Sequence, residues 1–245
     1  MTASPSASPP ASSPALSAAG LTKSYGSAIA LAGVDVAIAF GESVAIMGAS
    51  GSGKTTLLHC LAGIVRPDAG SVVLSTPHGP LQVTGLGDAE RSRLRREAFG
   101  FVFQQGLLLP ELTAIENVAL PLMLAGVPRA GAEQNAANWL AALGLAGLEQ
   151  RRIGQLSGGQ AQRVAIARSQ VGGAAVVFAD EPTGALDSRT SAEVMDALIG
   201  STTGRGRSLV VVTHDDEVAA RCSRVLRLAD GRIVDEVRTP TEGSR

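Results

Sequence analysis

The chain has 245 residues, 45% of them hydrophobic, enough for one large α/β domain or two small subdomains with a proper core. A formal net charge of -1 supplies no overall basic field for nucleic acid, and 3% aromatic residues argue against base-stacking platforms. Cys60 and Cys222 are the only cysteines and form no CxxC spacing, which argues against disulfide frameworks and zinc sites and for a reducing cytoplasm.

Residues 1–20 are nearly all Ala, Ser and Pro, and the first lysine is Lys23. This composition predicts a disordered extension and lacks the basic and apolar regions of a signal peptide. Beyond it, β-rich runs ("ESVAIMG", "AAVVFAD", "RSLVVVTHD") alternate with helical patterns. That alternation predicts a mostly parallel sheet covered by helices. The most apolar later stretches, 118–127 and 171–179, fall short of the roughly 20 residues needed to cross a bilayer.

The strongest signal is "ESVAIMGASGSGKTTLLHCLAG". Gly48, Ala49, Ser50, Gly51, Ser52, Gly53, Lys54 and Thr55 fit G-x-x-x-x-G-K-S/T between a predicted strand and a predicted helix that opens with Thr55 and Thr56. Glycines let backbone N–H groups turn inward around phosphate oxygens, and the helix N-terminus adds its positive end. Lys54 is expected to reach the β- and γ-phosphates and the Thr55 hydroxyl to ligate Mg²⁺. His59 and His78 match no motif and are read as structural, and Cys60 as a small buried side chain.

"RSRLRRE" (residues 91–97) is read as a solvated helix face, with contact to the loops of a partner or to anionic headgroups as the alternative. Residues 106–154 are Leu- and Ala-rich, broken by Pro110, Pro121 and Pro128, and carry helical periodicity around "AEQNAANWLAALGL". A helical subdomain is expected there, inserted between strands. At "GQLSGGQAQRVAIAR", Ser157, Gly158 and Gly159 stand directly ahead of an amphipathic helix, a second candidate anion site. "AAVVFADEP" is a hydrophobic strand ending in Asp180, suited to Mg²⁺, and Glu181, suited to accept a proton from water.

With "LSGGQ" at Leu156 to Gln160 added to those motifs in that order, the chain resembles the ATP-binding-cassette (ABC) ATPases from about Leu21 to Val237. The resemblance implies an α/β phosphate-loop ATPase with a RecA-like, mostly parallel sheet, a small antiparallel β subdomain and an inserted helical subdomain. The domain would cover 21–240, with its helical part at about 106–168 and a tail at 241–245. It implies that Tyr25 in "LTKSYG" stacks on adenine. Gln104 in "FVFQQ" would touch Mg²⁺ and the attacking water, with Gln105 as runner-up. Asp187 in "GALD" would lie at a dimer interface, and His214 in "VVVTHD" would contact the γ-phosphate. Ser157, Gly158, Gly159 and Gln160 would meet the γ-phosphate of an ATP held on a second chain's phosphate loop, so that two chains sandwich two ATP molecules. The implied cofactors are ATP and Mg²⁺, and Glu181, His214, Lys54 and Gln104 would serve the reaction.

"FGFVFQQGLLLPELTAIENVALPLMLAGV" and "DEPTGALDS" resemble a narrower group, the ATPase subunits of lipoprotein-release, macrolide-export, antimicrobial-peptide, haem-export and cell-division systems. That resemblance implies an integral FtsX-like membrane permease as partner, a second ATPase chain, and a place on the cytoplasmic face of the membrane. Export is the leading function. The alternative is a mechanotransmitter that regulates a cell-wall hydrolase and transports nothing. A soluble cassette acting on DNA or ribosomes is disfavoured, because no coiled-coil insertion and no second cassette is present. Gln105-Gly106-Leu107, Ile153-Gly154, Ala161 and Ser169-Gln170 depart from the group's usual residues, the first where the permease is expected to dock.

Overall fold

Runs of β-branched residues, too apolar for either face to meet water, form the strands at the centre of the molecule. The computed structural model describes residues 13–104 and 107–239. In it, β3 (Ser43–Met47), β7 (Val176–Asp180) and β8 (Ser208–Val212) are buried but for Asp180 at the end of β7. They sit within a six-stranded sheet of order β10-β9-β3-β8-β7-β6, completed by β6 (Phe99–Phe103), β9 (Arg224–Ala229) and β10 (Arg232–Arg238). Its pairs are parallel except β9 with β10.

Side chains alternate between the two faces of these strands. Val44, Ile46, Val176, Phe178, Val210 and Val212 enter one core with Leu57, Leu58 and Leu61 of α1 (Lys54–Leu61). Ala45, Met47, Val177, Ala179, Leu209 and Val211 enter the other. That second core includes side chains of α3 (Ala114–Leu124), α4 (Arg129–Ala142), α5 (Gly158–Gln170) and α6 (Ser188–Thr202). Burying one such large apolar side chain is worth about 1.5–3 kcal/mol, so the sheet is anchored from both sides.

A second, antiparallel sheet has the order β2-β1-β4-β5, from β1 (Leu16–Tyr25), β2 (Ala28–Ile38), β4 (Ala69–Thr76) and β5 (Gly79–Gln82). It corrects the expected boundary at residue 20. Leu16 is fully buried and pairs with Ile38 on one side and Leu74 on the other, so residues 16–20 are strand. Non-local pairing on both flanks overrides the Ala/Ser composition there. Residues 1–12 and 241–245 lie outside the described residues.

The stretch between β6 and β7 carries α3, α4 and α5. Thr113 opens α3 with a capping box: its Oγ1 accepts from the Glu116 N–H (3.4 Å), and Glu116 Oε2 accepts from the Thr113 N–H (3.0 Å). Asn117, fully buried, ties α3 to the preceding turn, accepting from the Leu109 N–H (2.8 Å) and donating to the Leu109 and Thr113 carbonyls (3.0 Å each). Among the described residues the remaining α-helices are α2 (Asp88–Glu97), which carries the "RSRLRRE" cluster, and α7 (Asp216–Ala219). No helix among the described residues is long and apolar enough to cross a membrane.

Candidate functional site

The phosphate-loop sequence forms the turn from β3 into α1. Gly48 has φ 151° and Gly53 φ 104°. A Cβ on Gly48 would stand 2.2 Å from the Leu228 carbonyl oxygen, and one on Gly53 2.2 Å from that of Ala30. Only glycine fits either place. The turn is braced by β2 and by the β9–β10 corner, where the Gly231 N–H donates to the Ser52 carbonyl (3.2 Å). Those braces carry no motif and were not readable from sequence. Lys54 folds over the loop, Nζ donating to the carbonyls of Gly48 (2.8 Å) and Ala49 (2.9 Å). Ser52 Oγ is buried without a hydrogen-bond partner among the described residues, while Ala49, Ser50 and Gly51 are exposed.

Strand order brings the acidic pair beside this loop, since β8 alone separates β7 from β3. Thr55 in the first turn of α1 hydrogen-bonds to the Asp180 carboxylate. Burial holds the Asp180 carboxyl above the usual carboxylate range, with the Thr55 hydrogen bond and the nearby His59 acting in the opposite direction. His59, read as structural from sequence, is therefore a neighbour of the acidic pair. Among the described residues no group of three His, Cys, Asp or Glu side chains is placed to hold a metal by itself. The oxygen pair Thr55–Asp180 does fit a Mg²⁺ shared with phosphate oxygens, which that ion favours over an all-protein cage.

Glu181 turns the chain out of β7 with φ 47°, its N–H donating to the Val212 carbonyl (2.9 Å). Its Oε1 lies 2.8 Å from Nδ1 of His214. That hydrogen bond and the charge behind it raise the His214 pKa above its ordinary value. Gln104 follows β6 directly, and its neighbour Phe103 pairs in register with Asp180. A Cβ on Gly184 would fall 2.9 Å from Gln104 Nε2, so the amide lies against the turn after Glu181. Gln105 lies outside the described residues. Tyr25 ends β1 with its side chain exposed, in the hairpin whose other strand supplies Ala30 to the phosphate loop. Lys23 stands 5.6 Å from its ring centroid and is paired with Asp68 (2.7 Å).

Ser157 caps α5: its Oγ accepts from the Gln160 N–H (3.2 Å) while Gln160 Oε1 accepts from the Ser157 N–H (2.9 Å). Here the glycines serve close approach, because a Cβ on Gly159 would stand 2.5 Å from Thr190 Cγ2 and one on Gly158 3.0 Å from Leu186 Cδ2. Asp187 caps α6, accepting from the Thr190 N–H (3.0 Å) and hydroxyl (2.7 Å), which holds its carboxyl below the usual range. The signature and Asp187 thus share one surface of two adjoining helix N-termini. The phosphate loop rests instead on Ala30, Leu228 and Gly231, and no hydrogen bond among the described residues joins it to 157–160. Lys54, Thr55, Asp180, Glu181, His214 and Gln104 are brought together; among the described residues no hydrogen bond joins Ser157, Gly158, Gly159, Gln160 or Asp187 to them.

Comparison with known proteins bears on this arrangement. The family described as ABC transporter matches residues 31–184. The macrolide export ATP-binding/permease protein MacB 1/2 of Paracoccus denitrificans is 48% identical over 209 residues, 85% of this chain and 30% of that protein. The pyoverdine export ATP-binding/permease protein PvdT of Pseudomonas syringae pv. syringae is 46% identical, over 89% of this chain and 33% of that one. The chain therefore spans about a third of the length of these relatives. The lipoprotein-releasing system ATP-binding protein LolD of Geobacter metallireducens is 46% identical, over 87% of this chain and 95% of that protein. Among solved structures, the ATP-binding cassette MJ0796, in a dimeric post-hydrolysis state bound to ADP and Pi, superposes with a TM-score of 0.81 at 38% identity, over 91% of this chain and 98% of that one. On its sequence, its fold and this loop-and-strand geometry, the chain belongs to the ABC transporter ATP-binding family and is an ATP-hydrolysing cassette.

Proposed function

We propose that two copies of this chain close head to tail around two ATP molecules, and that closure and hydrolysis drive an FtsX-like membrane permease, in the service of export. One observation carries the reading. Each chain has a phosphate loop with its acidic pair, and a second face, joined to that loop by no hydrogen bond among the described residues, where two capped helix N-termini adjoin at Ser157–Gly159 and Asp187. Such N-termini favour anions, and a second chain can bring that face to the γ-phosphate on the first chain's loop. The dimeric state of MJ0796 supports the pairing.

Within each site the chain's own groups take distinct tasks. The amides of residues 48–56 and Lys54 hold the phosphates, and Tyr25 stacks on the adenine. Thr55 and Asp180, with Gln104, would hold Mg²⁺, whose charge neutralises the β- and γ-phosphate oxygens when bound. Gln104 orients the attacking water. The Glu181 carboxylate takes a proton from that water as its oxygen bonds to the γ-phosphorus and the bond to ADP breaks. His214 holds Glu181 through its Nδ1 and faces the γ-phosphate.

The permease would dock at a cleft of about 250 Å³ between β6, α3 and α5, lined by Phe101, Leu120, Pro121 and Leu124 among others. Leu124 is 69% exposed and Leu107 nearby 59%, apolar surface suited to a cytoplasmic helix of a membrane partner. Co-purification from detergent-solubilised membranes tests this. An integral partner is expected, and recovery of the chain without one overturns the permease reading. The partner's domain outside the bilayer then separates export from regulation of a cell-wall hydrolase.

A further inference from the structure

The helix that begins at the signature also grips the segment that carries Gln104, at both ends. Gln162, one turn into α5 and 4% exposed, donates its Nε2–H to the carbonyl of Phe103 at 3.0 Å. Arg168, six residues or about 9 Å further along the helix, donates from Nη1 to the carbonyl of Leu107 at 2.8 Å. Leu107 itself has φ 44°, a conformation a branched apolar residue adopts only under constraint. Just past Arg168, α5 lies so close to β6 that a Cβ on Gly100 would stand 2.3 Å from the Ser169 carbonyl oxygen. Gln162 and Ser169 are seven residues apart and so share a helix face, the one against β6.

Neither grip is needed to form α5, whose Val164, Ile166 and Ala167 are already buried in the core. What the grips add is a fixed relation between the backbone on either side of Gln104 and the helix whose N-terminus is Ser157–Gly159. We infer that Gln162 and Arg168 are positioning residues that lock the segment carrying Gln104 to the signature helix, so that engagement of ATP by Gln104 in its own chain and presentation of Ser157–Gly159 to the partner's ATP are one movement. The inference rests on the reading of Gln104 and the signature as contacts to ATP. Neither Gln162 nor Arg168 touches nucleotide in it.

Steady-state hydrolysis by the full chain with MgATP tests it, using Gln162→Met, Arg168→Met, Arg168→Lys, Gln104→Ala and the double variant Gln104→Ala/Gln162→Met, with thermal melts as the check on folding. Gln162→Met is expected to lower kcat about tenfold, equivalent to about 1.4 kcal/mol, with KM for ATP unchanged. Arg168→Met is expected to lower kcat likewise, and Arg168→Lys, which keeps a donor for Leu107, to restore it. On a Gln104→Ala background Gln162→Met is expected to cost nothing further, since residues that act as a unit are non-additive. A loss of the same size on both backgrounds overturns the inference, because the effect then bypasses Gln104. A wild-type kcat in Arg168→Met also overturns it, and that variant decides should Gln162→Met fail to fold. A wild-type kcat in Gln104→Ala removes the reading of Gln104, and this inference with it.

Discussion

Glu181 and His214 leave neighbouring strand ends and meet through one hydrogen bond, Oε1 to Nδ1 at 2.8 Å. Glu181 reaches this position because its N–H is held by Val212 and its backbone turns through φ 47°. The pair sits beside the phosphate loop, since the Thr213 N–H donates to the Ile46 carbonyl (3.2 Å) and so ties the end of β8 to the end of β3. A carboxylate held this way is oriented before any nucleotide arrives.

The first consequence is a titration. Glu181 raises the His214 pKa, so Glu181→Gln should return it toward the ordinary histidine value. The sign for stability follows from the raised value: the contribution is present below about pH 6.5 and is lost as pH rises through the higher native pKa. It is small, because the His214 side chain is 73% exposed. Histidine NMR titration of the two proteins checks this, and an unchanged His214 midpoint contradicts it.

Glu181→Gln also removes the proton acceptor while preserving shape. General-base catalysis contributes about 10²- to 10⁴-fold, so kcat should fall by that order while ATP still binds. Single-turnover hydrolysis with radiolabelled ATP measures it. Wild-type turnover would exclude Glu181 as the base.

Asp180 gives a stability prediction of opposite origin. Burial raises its pKa, so at pH 7, without metal or nucleotide, the ionised carboxylate is held at a cost. Asp180→Asn should then melt above the wild type, and the gap should close as pH falls through the native pKa and both side chains become neutral. The same variant should lose Mg²⁺-dependent hydrolysis. Calorimetry across pH reads the first effect, and a lower melting temperature at pH 7 contradicts it.

Two glycine substitutions should move stability in opposite directions. Gly100→Ala would drive a Cβ to 2.3 Å from the Ser169 carbonyl and should cost about 1–3 kcal/mol or more. Gly200→Ala, inside α6 with open space around the new Cβ, should gain roughly 0.5–1 kcal/mol. Urea denaturation of both variants decides.

What the sequence made legible follows from how local each signal is. Strands β3, β7 and β8 declare themselves as continuous apolar runs, and the loops at their ends carry the motif residues. Leu16 to Gly20 did not, because an Ala/Ser-rich segment becomes strand only when β2 and β4 flank it. The grips of Gln162 on Phe103 and Arg168 on Leu107 span 59 and 61 residues, and nothing in either residue type announces them. The same holds for the supports at Ala30, Leu228 and Gly231, which shape the phosphate loop from strands far along the chain. Motifs mark what faces a ligand; the backbone that positions them is read only from the fold.

The head-to-tail dimer is tested most directly by sedimentation velocity of Glu181→Gln with and without MgATP, beside the double variant Glu181→Gln/Ser157→Arg. For the single variant a monomer is expected without ATP and a dimer with it. The double variant is expected to stay a monomer that still binds ATP with unchanged affinity, because Ser157 serves the partner's nucleotide. A double variant that dimerises as readily as the single one, or that loses ATP binding as a monomer, would contradict it.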